Sequence, residues 1–140
     1  MLRFQTVTID AHDPSALARF WAEVLGWQIT DEGPIEVGVE PLQDSPMRGV
    51  VPDLLFIRVP DDKVAKNRLH LDLRPDDQAV EVERLTSLGA SLVDIGQAAD
   101  PHCTWVVMAD PEGNEFCVLR SVPTTNIPEP AEGKVTSNRL

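Results

Sequence analysis

The feature that most constrains the fold of this chain is a faint internal repeat. Residues Asp13–Gly26 and Asp76–Gly89 each contain an acidic helix cap, an amphipathic segment and a Leu-Gly end, and a shift of 63 superposes them. In both halves a strand pattern precedes the helix and further strand patterns follow it. Because a shared order of elements at a fixed spacing is typical of duplicated units, the sequence predicts two related modules in an α+β fold.

The sequence predicts the helix of the first copy more clearly than that of the second. In the first, Asp13 can cap the free amides, Pro14 fits the first helical position and Gly26 suits the end. One apolar face follows at helical spacing, and it consists of Leu17, Phe20, Trp21, Val24 and Leu25. The second copy has a narrower stripe of Ala79, Val82, Leu85 and Leu88. We predict helices over 14–25 and 76–88, both covering a sheet.

Alternation of apolar and polar residues predicts the strands. The segments Phe4–Asp10 and Arg68–Arg74 show it best, and in the second the three leucines, Leu69, Leu71 and Leu73, are expected to pack on the helices. Near the end, Asp110–Gly113 has turn chemistry, and a hairpin pairing Met108 with Glu115 and Val106 with Cys117 is predicted. In that register Cys103 lies away from Cys117, which argues against a disulfide.

Composition excludes several function classes. Twelve Lys and Arg against 23 Asp and Glu give a net charge of -11, and such a field disfavours nucleic acid and anionic membranes. No apolar run is long enough for a membrane span or a signal peptide, and two cysteines are too few for a disulfide scaffold. We therefore expect a cytoplasmic protein whose first module covers 1–60, whose linker and second module cover 61–122, and whose mobile tail covers 123–140.

The polar face of the strand 68–74 is the first candidate site. It presents Arg68, His70, Asp72 and Arg74, and a shift of 64 places Thr6, Thr8 and Asp10 of the first module in equivalent positions. A solvated sheet face explains this pattern as well as a cavity does. If the two faces close on a pocket, arginines suit planar anionic or carbonyl ligands, and a His–Asp pair can act as acid and base.

Three motifs together resemble the vicinal oxygen chelate superfamily, which includes glyoxalase I, bleomycin-resistance proteins and extradiol dioxygenases. They are the duplicated halves, the Leu25-Gly26 helix end and Asp110-Pro-Glu-Gly113 before the last strand. The run Lys66-Asn-Arg-Leu-His-Leu-Asp72 is similar to the signature of its glyoxalase-like domain family. The resemblance covers residues 2–121 and implies two βαβββ modules that form a curved eight-stranded sheet around a ligand cavity.

The resemblance also implies where a metal would bind. In metal-dependent members four strands each direct a His, Glu or Gln at one divalent ion. The corresponding positions here are Thr6, His70, Cys117 and either Phe56 or Arg58. Only His70 matches, so a full metal-ligand set is not expected, although a divalent metal is possible if nearby carboxylates substitute.

Two functions remain open at this point. One is a metal-independent module that binds a small molecule through some of the candidate residues: Thr6, Thr8, Asp10, Arg58, Arg68, His70, Asp72, Arg74 and Cys117. The other is an enzyme of lyase or dioxygenase type, dependent on a metal or on His70 and Asp72 as catalytic residues. Open sheet edges must be paired or covered, and relatives commonly pair, so a homodimer is expected.

Overall fold

The computed structural model describes residues 4–121. The predicted 123–140 tail lies outside the described residues. The elements, in chain order, are β1 (Thr6–Ala11), α1 (Pro14–Leu25), β2 (Gln28–Thr30), β3 (Glu36–Glu40), β4 (Asp53–Arg58), β5 (Asp72–Leu73), α2 (Gln78–Ser87), β6 (Ser91–Leu92), a 3-10 turn (Gln97–Ala99), β7 (Val106–Ala109) and β8 (Glu115–Val118). Among the described helices, none has the length and apolar character needed to span a membrane.

The predicted α+β fold of two βαβββ modules is confirmed. Its eight strands are divided between two four-stranded sheets, with the orders β1-β4-β3-β2 and β5-β8-β7-β6. In each sheet the strand before the helix pairs in parallel with the last strand of its module, and the other pairs are antiparallel. The two modules therefore share one topology, as the repeat in the sequence predicted.

Helix α1 packs most of the core. Asp13 accepts the backbone amide of Ala16 at its start, and Gly26 ends it at φ +64°, a left-handed conformation that glycine adopts without strain. Its apolar face is buried against the sheet, and the Trp21 ring lies 5.2 Å from the Phe116 ring of β8 in the other module. This contact makes one core out of the two modules.

Helix α2 corrects the prediction at its start. Asp77, not Asp76, is the cap, since its side chain accepts the amide of Val80. The caps of the two modules are thus 64 residues apart, like their polar strand faces, and the one-residue difference falls inside the shorter helix. Of the predicted stripe, Leu85 is buried but Ala79 is exposed. Arg84 donates hydrogen bonds to the last carbonyls of α1, those of Glu23 and Val24.

The strand predicted over 68–74 is wrong in its length and at Leu69, whereas Leu71 and Leu73 pack against the core as predicted. Only Asp72 and Leu73 form a strand, and Leu69, expected in the core, is 87% exposed. The reason is that residues before Asp72 have little backbone to pair with. The Cys117 amide still reaches the carbonyl of Leu71, but at Asn67 the side chain, not the backbone, bonds to Glu115. The alternating pattern of the sequence therefore begins before the strand does, since residues 68–71 lie outside β5. Strand β1 also begins later and ends later than the predicted 4–10.

The final hairpin is shifted by one residue from its prediction. Glu115 pairs with Ala109 and Cys117 with Val107, because the Asp110 amide bonds to the Asn114 carbonyl and leaves a three-residue loop. Both cysteines are free, and Cys117 is buried.

Candidate functional site

The parallel pairing of β5 with β8 creates the cluster on which the candidate site is built. Asp72 is the direct register partner of Cys117, so their side chains project from the same face of the second sheet. His70 lies two residues before Asp72 and projects to the same side. The structure thus brings together three of the residues predicted from the sequence, and we call them the His70–Asp72–Cys117 cluster.

The geometry of the cluster is compact. His70 Nε2 lies 3.2 Å from Asp72 Oδ1, and one ligand atom from each of the three residues falls within 4.8 Å of the others. His70 and Asp72 have about half of their side-chain surface exposed, at 52% and 53%, whereas Cys117 is buried. The cluster therefore has a fixed thiol at its base and two movable polar groups open to solvent.

The electrostatics of the cluster keep the thiol protonated. Burial raises the pKa of Cys117, and the Asp72 carboxylate raises it further through its charge and a hydrogen bond. A thiol in this state is a poor nucleophile, because the thiolate is the reactive form. The surroundings of Cys117 therefore do not favour covalent catalysis.

An ion pair lies beside the cluster. Glu115, on the same face of β8 two residues before Cys117, pairs with Lys66. The hydrogen bond from Lys66 lowers the pKa of Glu115 against the opposing effect of its desolvation, and the charges of Lys66, Lys63 and His70 lower it further. The sequence analysis did not predict that Lys66 and Glu115 form a pair. Nothing local in the sequence reveals a pair 49 residues apart.

Two of the three arginines predicted as ligand contacts donate to backbone carbonyls. Arg58 donates to the backbone carbonyls of Pro34 and His12, and Arg74 donates to the carbonyl of Arg120. Their guanidinium groups are held by backbone oxygens and not by the His70–Asp72–Cys117 cluster. Arg68 is exposed.

The first-module candidates lie on their own sheet. Thr6, Thr8 and Asp10 alternate with Val7 and Ile9, which pack on the core, so the three polar side chains lie on the opposite face of β1. Thr6 pairs with Asp53 and Thr8 with Leu55 in β4. The metal-capable group found among the described residues includes none of the three.

Two clefts accompany these faces. One, of about 400 Å³, lies between the end of α1, α2 and β5; its apolar part is formed by Leu25, Leu73, Leu85 and Val118, and its polar part includes Asp72, Arg74 and Asp76. The other, of about 320 Å³, lies where the modules meet and is rich in carboxylates, with Asp10, Asp61, Asp62 and Glu112. Asp72 therefore borders both the larger cleft and the His70–Asp72–Cys117 cluster.

Three of the four positions that the resemblance implies for metal ligands carry residues other than His, Glu or Gln. Thr6 is a poor ligand for a divalent ion, Phe56 is fully buried on the core side of β4, and the Arg58 guanidinium is a cation held by carbonyls. No donor of the expected kind comes from the first module at these positions. Among the described residues, the group of side chains that could hold a metal ion, His70, Asp72 and Cys117, lies in the second module.

The comparisons with known proteins agree with this fold. A family model described as "Glyoxalase-like domain" matches residues 6–119. The chain belongs to the glyoxalase-like domain family. No curated protein is similar enough in sequence to match.

Solved structures share the architecture at low sequence identity. A glyoxalase/bleomycin resistance protein/dioxygenase family enzyme from Burkholderia phytofirmans PsJN superposes with a TM-score of 0.64 at 18% identity, covering 86% of this chain and 100% of that one. Glyoxalase I from Leishmania major gives 0.59 at 16%, covering 86% and 87%. The bleomycin-binding protein from Streptomyces verticillus gives 0.54 at 20%, covering 87% and 100%. At these identities the likeness shows the fold.

Proposed function

We propose that this protein binds a small organic molecule and that its second module supplies most of the binding surface, without the four-ligand metal set of the superfamily. The observation that carries the proposal is the cleft beside β5. Its volume of about 400 Å³ falls in the range of about 300–1,000 Å³ that is usual for small-molecule sites. It combines an apolar floor with a few polar groups, which is the composition such sites require.

The polar groups of this cleft give the proposal its specificity. Arg74 and Asp72, both predicted as ligand contacts from the sequence, lie at its wall together with Asp76. The Arg74 head makes a hydrogen bond to a single carbonyl and is exposed, so its remaining donors are available to a ligand. One of the structural neighbours is a bleomycin-binding protein, which supports a binding role for a protein of this fold.

A thermal-shift screen of metabolites and antibiotics, followed by titration of the hits, tests the proposal. Arg74→Ala is expected to weaken binding by about tenfold, because it removes a charged hydrogen-bond donor. Arg19→Ala is the matched control, since Arg19 is exposed on α1 and pairs with Glu32 away from the cleft. Hits that bind both variants equally, or a screen with no hit, would contradict the proposal.

Acid–base catalysis is a second candidate function, and the 3.2 Å contact between His70 and Asp72 favours it. A carboxylate at this distance can orient the imidazole and stabilise its protonated form. If a hit is turned over in a lyase-type reaction, His70→Gln is expected to lower kcat by about 10²–10⁴-fold while binding is retained. Unchanged turnover in that variant would remove His70 from the reaction.

We also propose a cytoplasmic homodimer. Phe4, Val64 and Leu69 are 73%, 95% and 87% exposed, and the outer strands leave sheet edges that a second copy can cover. Light scattering is expected to return twice the 15.4 kDa chain mass; a single-chain mass would contradict this. Free cysteines support a reducing compartment, which cell fractionation tests.

A further inference from the structure

We propose that the ligand of the cleft beside β5 is an apolar α-amino acid, whose carboxylate binds Arg74 and whose ammonium group binds Asp76. The inference rests on the proposed function, since it needs this cleft to be a binding site, and it adds the chemical class of the ligand. Two opposite charges on the cleft wall carry it, because neither has an ionic partner among residues 4–121.

The first of these charges is the guanidinium group of Arg74. It donates one hydrogen bond, 3.0 Å long, to the carbonyl of Arg120. Of the described carboxylates, none lies within ion-pair distance of it, although Asp72 and Asp76 line the same cleft. A guanidinium group has five N–H donors in a planar fork that matches a carboxylate, so its remaining donors can bind one.

The second charge is the carboxylate of Asp76. Within the part of the chain that the structure describes, no cation pairs with it. Helix α2 does not need it as a cap, because the neighbouring Asp77 accepts the amide of Val80. An exposed carboxylate on the wall of a cleft is an acceptor for an ammonium group.

The other two carboxylates of this wall are already engaged. Glu81 accepts hydrogen bonds from Arg84, and Asp72 Oδ1 lies 3.2 Å from His70 Nε2. If the wall charges served only to neutralise one another, Arg74 would be expected to pair with Asp76, two residues further along the chain. Since these two charges stay apart, a ligand that carries both signs can satisfy both.

The spacing of the two charged residues selects the class of zwitterion. Their Cα atoms are no more than about 7 Å apart, since they are separated by a single residue. The two side chains therefore suit a ligand whose ammonium and carboxylate groups are close together, and in an α-amino acid both are attached to one carbon. A ligand with a single charge would be attracted by one of the two residues and repelled by the other.

The apolar floor of the cleft selects the side chain of the ligand. The floor is formed by Leu25 and Leu85 of the two helices and by Leu73 and Val118 of the second sheet. An aliphatic side chain that covers this floor is removed from water together with it, which favours binding. Leucine combines such a side chain with the two charges, so it is the probe of choice.

Titration calorimetry of the full chain with L-leucine and two analogues tests the proposal. Isocaproate has the same side chain but no ammonium group, and leucinamide has no carboxylate. Leucine is expected to bind at least about tenfold more tightly than either analogue, because each analogue loses a charge-assisted hydrogen bond. Glycine, which has both charges and no side chain, should also bind more weakly than leucine.

Variants of the chain assign each charge to its residue. Asp76→Asn should weaken leucine binding by about tenfold and leave isocaproate binding no weaker, since isocaproate does not use this carboxylate. Arg74→Ala should weaken both leucine and isocaproate and leave leucinamide binding no weaker. Asp44→Asn is the matched control, because Asp44 is exposed in the first module and does not line the cleft; it should bind leucine like the wild type.

Three outcomes would overturn the proposal. They are equal affinity for leucine and either analogue, wild-type leucine affinity in Asp76→Asn, and equal weakening of leucine and isocaproate in that variant. If no amino acid binds but another compound from the thermal-shift screen binds in a way that depends on Arg74, the assignment of the ligand class fails and the proposed function stands. If no compound binds at all, both fail.

Discussion

The two modules share one topology but differ in the length of their strands and in how far their helices are buried. Strands of the first module are six, three, five and six residues long, whereas those of the second are two, two, four and four. Helix α1 has six buried residues and α2 has only Leu85. Both modules contribute buried strand residues to the core, such as Phe56 of β4 and Phe116 of β8, but the longer strands and the more deeply buried helix lie in the first copy.

The two modules also differ in the polar side chains that their edge strands present. Strand β5 is a two-residue edge strand whose polar face is open, and there His70 and Asp72 meet the thiol of Cys117. The equivalent edge of the first module is a six-residue strand fully paired with β4. Both strands lie at a sheet edge, but only the short one brings a histidine, a carboxylate and a thiol together.

The connection between the copies is the Asp110–Asn114 loop. Buried Asp110 accepts the indole N–H of Trp21 from α1, and Glu112 accepts the amides of His12 and Asp13 just before that helix. The same Asp110 also holds its own turn through Asn114. A motif that the sequence identified as a hairpin turn thus also connects the second module to the first, in addition to the Trp21–Phe116 contact.

The largest difference in unfolding free energy is expected between a buried residue of the first module and an exposed apolar residue of the second. Phe56 is fully buried in β4, and Phe56→Ala is expected to lower the free energy of unfolding by about 3–5 kcal/mol through lost burial and a cavity. Leu69→Ala in the second module should change it by less than about 0.5 kcal/mol, since Leu69 is on the surface. Chemical denaturation measures both. Similar losses for the two variants would mean that Leu69 packs in solution.

A smaller effect is expected at the contact between modules. Trp21→Phe keeps the ring but removes the donor to Asp110, and it should cost about 1–3 kcal/mol because a buried carboxylate loses a partner. Trp105→Phe, at a partly buried position of the second module, is the control. If thermal unfolding showed equal shifts for the two variants, the indole hydrogen bond would not fasten the modules.

The smallest effect concerns the Lys66–Glu115 pair and depends on pH. The pKa of Glu115 is lowered in the folded state, so the pair adds stability above the ordinary value of 4.5, and this contribution is lost as pH falls through the lowered folded pKa. Lys66→Met should be less stable than wild type by under about 1 kcal/mol near neutral pH. The gap should close in acid. Lys63→Met is the control and should show a smaller gap; a pH-independent gap would contradict the ion pair.

Local signals predicted the first module well. Cap, proline and glycine set α1 at 14–25, where the structure places it. These signals act over a few neighbouring residues, so the helix bounds that they predict depend little on tertiary contacts. The alternation at 68–74 predicted which side chains share a face, His70 with Asp72, but not where the strand begins, because that depends on a partner strand about 45 residues away.

Other parts of the site could not be predicted for the same physical reason. The hairpin register was wrong by one residue because the Asp110 amide closes the turn on Asn114. The resemblance identified Cys117 as a site position, but its pairing with Asp72 follows only from the parallel register. Lys66 and Glu115 were missed because an ion pair leaves no pattern along the chain.

The central claim is that the binding chemistry lies in the second module while the first supports it. Nuclear magnetic resonance of uniformly ¹⁵N-labelled protein, titrated with a small-molecule hit from the thermal-shift screen, tests it most directly, since backbone amides along the chain report separately. The account predicts the largest shifts at Asp72, Leu73 and Arg74, which line the cleft, with Thr6, Thr8 and Asp10 unchanged. Shifts of similar size in both groups would show a site shared between the modules and contradict the account.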